Sequence, residues 1–273
     1  MKPDTCDDLT RDAFLGGRLH LLQPRDGYRA GVDPVVLAAS VNARPGQSVL
    51  ELGCGAGAAA LCLATRVPGL DLWGVELQCG YADLARRNAT QNDISFNVVC
   101  ADLNDLPHPV RGMRFDHVIA NPPYFRSGAH SLARDSGRGI ALSEQQTPLA
   151  DWLAVAARRL APKGYLHMIQ RADRLPDMLV GCSGRLGSLE VLPLAARTGR
   201  PPGMVILRAR KEGRAPFCLH APCLIHAGER HERDAESYSP EISAVLRQGA
   251  ALDWPDVRAE SRANSTSSKN CYN

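Results

Sequence analysis

Short apolar runs and amphipathic stretches alternate along the chain from Ser48 onward: SVLELG at 48–53, AAALCLATRV at 58–67, DLWGVE at 71–76, YADLARRNATQND at 81–93, ISFNVVCAD at 94–102 and FDHVIANPPY at 115–124. The first, third, fifth and sixth are brief and rich in branched apolar side chains, as strands buried on both faces are. The second and fourth repeat at the helical period. The series predicts βαβαβ units, whose right-handed crossovers build a parallel, doubly wound sheet. Downstream, a helix is expected from Thr147 and Pro148 through LADWLAVAARRL, stopping at PKG before the strand YLHMI. A further helix follows, then SLEVLPLAA and MVILRARK form a C-terminal antiparallel hairpin around RTGRPPG. The expected fold class is α/β, a seven-stranded mixed sheet in one domain over residues 19–250.

The flanks read differently. Residues 1–18 are expected to be a mobile leader and 255–273, polar and Ser/Asn-rich, a disordered tail. Between leader and sheet, RLHLLQPRDGYRAGVDPVVLAASV predicts a strand, a Gly-marked turn and a helix starting near Asp33, with Asp33 as N-cap and Pro34 at the first helical position. The polar stretch FRSGAHSLARDSGRGIALSEQQ after the prolines is the expected loop over a site.

Composition narrows the class. Hydrophobic residues make up 44% of 273, enough for a sizeable core. No run of about 18 apolar residues exists to span a membrane, and the acidic N-terminus lacks a signal-peptide core, so a cytoplasmic protein is expected. Nine cysteines, an odd number without paired metal spacing, suit reduced thiols. Cys218, His220, Cys223, His226 and His231 can be drawn as a zinc site, but their apolar alternation reads as a strand, and no metal is expected. Net charge is +3, yet residues 158–214 carry twelve Lys or Arg against four Asp or Glu. That local excess suits an anionic partner such as nucleic acid, or simply a solvated face.

The chemistry concentrates at strand ends. Gly53, Gly55 and Gly57 in LELGCGAGAA sit at a strand-to-helix turn, where absent side chains let a ligand reach the backbone and helix N-terminus. The loop also passes a relaxed dinucleotide fingerprint, so alone it does not separate NAD from other adenosine cofactors. Glu76 and Asp102 end the next two strands, placed either to hold a nucleoside or to cap the following helix. In VIANPPYF, Pro122 and Pro123 cannot continue a ladder and form a stiff exit from the strand. Asn121 offers a carbonyl acceptor, the Pro122 carbonyl a second, and Tyr124 an aromatic face: together, a clamp for a planar group bearing an NH2. The plainer alternative is a strand-ending turn.

The order ELGCGAG, GVE, AD, NPPY resembles the class I S-adenosylmethionine-dependent methyltransferases that act on amino groups, with their Rossmann-like fold. GYRAGVDPVVLAA, the Arg-containing segment after NPPYF and SYSPEISAVL are most similar to the bacterial tRNA(Val) adenine-37 N6-methyltransferase family. The resemblance implies that Glu51 and the Gly53–Gly57 loop hold the cofactor's methionine moiety, Glu76 its ribose and Asp102 its adenine, with Gly31 and Asp33 lining the same pocket. It implies Asn121, Pro122 and Tyr124 as catalytic, Phe125 as an extension of the stacking wall, and tRNA as partner, for which Arg197 and Arg200 are candidate contacts. Other readings are methylation of a release-factor glutamine, whose enzymes carry a helical domain for which fewer than fifty residues leave no room here; a DNA adenine methyltransferase; an NAD enzyme; and a non-catalytic nucleotide- or RNA-binding module.

Overall fold

The computed structural model describes residues 8–124, 147–228 and 237–255. The chain opens with an antiparallel hairpin of β1 (Leu9–Phe14) and β2 (Leu19–Pro24), then α1 (Val32–Ala39). Next come β3 (Ser48–Leu52), α2 (Ala58–Arg66), β4 (Asp71–Glu76), α3 (Cys79–Gln91), β5 (Asn97–Cys100) and β6 (Phe115–Ala120). After residue 147 follow α4 (Leu149–Arg159), β7 (Leu160–Arg171), α5 (Leu175–Cys182), β8 (Gly187–Ala195) and β9 (Pro202–Arg210). Two-residue strands β10 (Cys218–Leu219) and β11 (Cys223–Leu224) and helix α6 (Pro240–Gln248) complete the described chain.

The main sheet runs β10-β8-β9-β7-β6-β3-β4-β5, with β11 also on β8. Strands β7, β6, β3, β4 and β5 are parallel, and β9 is antiparallel to both β7 and β8. The expected seven strands are therefore present, extended by two short ones where a single strand is read across residues 217–231. Alternate side chains sort into two cores: Leu50, Leu52, Val118 and Ala120 pack with Leu149 and Leu153 of α4. Val49 and Ile119 face α1, α2 and α3. From β3 the chain steps outward to β4 and β5, then returns to place β6 on the other side of β3. Such a reversal leaves a crevice beyond the carboxyl ends of the strands.

Four sequence expectations change. Residues Leu9–Phe14, assigned to a mobile leader, form β1, because pairing with β2 satisfies their backbone groups. Gly31, not Asp33, caps α1, and Asp33 lies inside its first turn. β7 begins at Leu160 directly after α4, so PKG lies inside the strand as an irregularity, where Lys163 has φ 66° and the register against β6 shifts between Leu160 and Tyr165. Cys79 and Cys100 form a disulfide between the first residue of α3 and the last of β5. The β4–β5 register, which sets Glu76 opposite Cys100, brings these thiols together across twenty-one positions. Cys54, Cys62, Cys182 and Cys223 are in no disulfide.

Residues 251–255, next to the expected tail, pack back on the body. Leu252 N donates to the Ala39 carbonyl at 2.9 Å and Trp254 Nε1 to the Ser40 carbonyl at 2.8 Å, while Arg208 lies 4.2 Å over the Trp254 ring. Residues 256–273 lie outside the described residues. No described helix is long and apolar enough to cross a membrane.

Candidate active site

The crevice is lined at its floor by the turn after β3. Gly53, Gly55 and Gly57 all have positive φ, at 65°, 52° and 87°. Their environments differ. A Cβ on Gly53 would lie 2.4 Å from Trp152 Cη2, so that glycine lets the indole pack against the turn. Nothing lies within 4 Å of a Cβ on Gly55, which faces open cleft. Gly57 caps α2 outside the cleft wall, where a Cβ would lie 3.2 Å from Leu61 and Phe96; its role is to shape the turn.

Two buried carboxylates meet this turn. Glu51 Oε2 accepts from Ala60 N at 2.9 Å, and burial pushes its carboxyl up to about 8, the Ala60 bond opposing and the Glu76 charge adding. Glu76 Oε2 accepts from Gly55 N at 2.8 Å and Oε1 from Gln78 N at 2.9 Å. Burial raises the Glu76 carboxyl against these backbone donors. Glu76 thus ties the β3–α2 turn to the β4–α3 turn while lining the cleft. Asp102 caps a turn, and no described helix follows it before β6: its Oδ1 accepts from Asn104 N at 2.8 Å, and its exposed side chain borders the cleft.

At the end of β6, Asn121 Nδ2 donates to Tyr28 Oη at 3.4 Å. Its Oδ1 is buried without a partner among the described residues. Gln170 Nε2 reaches the carbonyls of Pro122 and Pro123, at 3.4 and 3.0 Å. The Pro122 oxygen thus keeps one of its two lone pairs for another donor. Tyr124 Oη donates to Asp33 Oδ2 at 2.5 Å, and burial, with the nearby Asp33 charge, holds the phenol protonated far above the usual range. Phe125 lies outside the described residues, as does the polar segment 126–146.

Several expected contacts fall elsewhere. Gly31 borders a shallow depression with Leu15 and Tyr238 instead of the cleft. Asp33 is absent from the cleft wall and acts on Tyr124. Arg197 is a structural clamp: its guanidinium donates to the carbonyls of Ala227 and Gly228 and to Ser237 Oγ. Arg200, in the same turn, is exposed. Much of the basic excess is spent internally, Arg208 on Glu190, Arg159 on the Val110 and Arg111 carbonyls and Lys211 on the Ala157 carbonyl. Sequence reasoning missed Tyr28, Tyr81 and Trp152. Tyr28 stands three residues before Gly31, and its backbone N–H donates to Tyr81 Oη at 2.8 Å. Trp152 is one of the apolar positions of α4, and its lining role had no separate signal.

The family model described as Methyltransferase small domain matches residues 31–180, which carry the glycine turn, both carboxylates and the Asn-Pro-Pro-Tyr exit. The chain belongs to this family. The methyltransferase is 34% identical over 196 residues to the tRNA1(Val) (adenine(37)-N6)-methyltransferase of Porphyromonas gingivalis, covering 67% of this chain and 76% of the relative. It is 29% identical over 166 residues to the protein of that name from Actinobacillus succinogenes, covering 60% and 69%. A structure from Agrobacterium tumefaciens described as a predicted O-methyltransferase aligns with a TM-score of 0.64 at 24% identity, over 81% of this chain and 98% of that one. The Thermus thermophilus 16S rRNA N2 G1207 methyltransferase aligns at 0.52 and 19%, over 74% and 50%. These two structures share the fold.

The enzyme is S-adenosylmethionine-dependent, and its cleft fits that cofactor. Gly55 leaves backbone open where a ligand approaches, and Glu51 and Glu76 offer buried acceptors. Trp152 Nε1 is a buried donor with no partner among the described residues.

Proposed function

We propose that this methyltransferase acts on N6 of an adenine in an unpaired loop of tRNA. The observation that carries the reading is Asn121 Oδ1, a buried acceptor without a partner among the described residues, next to the Tyr124 ring. A buried acceptor left unpaired costs about 1–3 kcal/mol, and an amino N–H removes that cost. The cofactor supplies an electrophilic methyl group. Asn121 Oδ1 and the free lone pair of the Pro122 carbonyl accept the two N–H bonds, so that the nitrogen pyramidalises and its lone pair points along the transfer line. Tyr28 Oη accepts from the amide's Nδ2, which leaves Oδ1 for the amine. Tyr124 stacks on the base. Glu51 and the Gly53–Gly55 backbone hold the methionine end of the cofactor, Glu76 the ribose and Asp102 the adenine.

An unpaired base is splayed onto an aromatic face without the few kcal/mol that flipping a paired one costs. The relatives from Porphyromonas and Actinobacillus carry names that specify adenine 37 of a valine tRNA, and their similarity supports the anticodon-adjacent adenine here. A tRNA substrate places the reaction in the cytoplasm. The β8–β9 turn projects from the same sheet edge as Asn121, since Ala195 pairs Pro202 and Arg171 pairs Met204. Arg200 is therefore the tRNA contact to test, in place of Arg197.

Labelled cofactor is incubated separately with tRNA from a strain lacking the gene, duplex DNA and release factor, followed by mass spectrometry of nucleosides and peptides. Label in N6-methyladenine of tRNA is expected; label on a protein glutamine, or on DNA alone, overturns the reading. In the same assay Arg200→Glu is expected to weaken tRNA binding and reduce its salt slope by about one, with cofactor affinity unchanged.

The proposed role of Glu51 gives a pH dependence. Folded ligand-free protein holds the Glu51 proton up to about 8, whereas an unfolded glutamate releases it near its ordinary value of 4.5. This group's contribution to ligand-free stability is full below the lower value and is lost as pH rises through the upper one. A cofactor ammonium favours the carboxylate, so binding expels that proton. Calorimetry with S-adenosylhomocysteine should show affinity rising from pH 6 to pH 7.5 by up to about tenfold per pH unit, and Glu51→Gln should flatten the rise.

A further inference from the structure

Asp33 does not line the cleft, yet it makes the shortest contact to a residue that does. Its Oδ2 receives the Tyr124 hydroxyl at 2.5 Å, the length of a strong O–H···O⁻ bond. The carboxylate rides in the first turn of α1, whose Val35, Val36 and Leu37 are buried in the core, so its position is set by a rigid element. Tyr124 follows Pro122 and Pro123, which fix φ at two successive residues. The ring is therefore held at both ends: at Cα by the prolines and at the hydroxyl by Asp33.

The bond also changes the ring. A phenol donating to an anion gains electron density, which deepens the negative potential over its face. When the acceptor nitrogen gives its lone pair to the methyl carbon and the carbon–sulfur bond breaks with its electrons left on sulfur, positive charge forms on the stacked group. The charge then leaves as a proton to water. An electron-rich face attracts that charge more than the neutral ground state, a cation–π gain realised on the way to the transition state. We propose that Asp33 is a positioning residue of the methyl transfer, holding the Tyr124 ring against the acceptor and enriching its face as positive charge develops there. The inference rests on the stacking role of Tyr124 given under Proposed function.

A double-mutant cycle tests it with the full chain and tRNA. Asp33→Asn, which keeps the side chain's shape, and Tyr124→Phe, which keeps the stack, are each expected to lower kcat by about tenfold. KM for tRNA should change by less than about threefold, and S-adenosylhomocysteine affinity should not change. Because Tyr124→Phe removes the bond and Asp33→Asn the negative charge that acts through it, the double variant should be no slower than Tyr124→Phe alone. Losses that multiply, a loss confined to KM, or full activity in Asp33→Asn overturns the proposal. Should Asp33→Asn unfold, fluorotyrosines placed at position 124 give a second measurement: kcat falls stepwise as fluorine drains the ring, and a flat series overturns the proposal. Wild-type protein that labels glutamine instead of tRNA overturns the tRNA reading alone. The same cycle on that acceptor then decides the role of Asp33, because the carboxamide nitrogen develops the same charge.

Discussion

Asn121→Ala is expected to reduce turnover by ~10²-fold or more while leaving S-adenosylhomocysteine affinity within about tenfold. The asymmetry follows from geometry. Oδ1 has no partner among the described residues, so removing it loses no interaction seen in the ligand-free protein. What disappears is an acceptor whose bond to the amine strengthens as charge develops on nitrogen. The Tyr28 contact is lost too, but at 3.4 Å it is a weak bond. Single-turnover rates with saturating cofactor, beside calorimetry, separate the two effects. Asn121→Asp, which retains an oxygen at that position, should recover part of the rate. Turnover near the wild-type value would remove Asn121 from the mechanism.

Glu76→Ala acts on the other half of the reaction and should lower cofactor affinity by ~10²-fold. The substitution deletes the proposed ribose acceptor and strands the N–H groups of Gly55 and Gln78, which now donate to Glu76. A backbone donor left without an acceptor costs about 1–3 kcal/mol where it stays dry, so a lower denaturation midpoint should accompany the weaker binding. Glu76→Gln, with one acceptor oxygen, should fall between. Loss of stability with unchanged affinity would reduce Glu76 to a tie between two turns. Isothermal calorimetry and urea melts on the same preparations decide it.

The parallel sheet is legible because fully buried strands must be short and apolar, and SVLEL, DLWGVE and FDHVIA announce themselves on that ground alone. The cofactor turn is legible because each of its three glycines needs positive φ, a local property. What escapes is whatever depends on partners distant in the chain. Residues Leu9–Phe14 carry Thr, Arg and Asp and look like a solvated leader until β2 lies beside them. Nothing near Asp33 reports that Tyr124 comes within 2.5 Å of it, and an Asp-Pro pair reads locally as a cap. Arg197 and Arg200 are alike in sequence, yet one is bound to the Ala227 and Gly228 carbonyls and the other is exposed. By contrast α6 carries local signals, Ser239 and Pro240 at its start and Gly249 at its end, and the Ser239 side chain does accept from Ile242 N at 3.2 Å. Its apolar positions are too few to register as a core helix.

The docking of Leu252 and Trp254 on the end of α1 has a kinetic side. The Ala39 and Ser40 carbonyls receive their donors from residues more than two hundred positions later, Trp254 lying 214 residues beyond Ser40. Contacts so far apart in sequence form late and slow folding. On the ribosome, α1 therefore emerges with an open end, and the apolar surface around Val41 stays uncovered until residue 254 has been added. The two flanks of the catalytic body close on each other only after residue 254 has been made, and the nascent chain is without that seam until then.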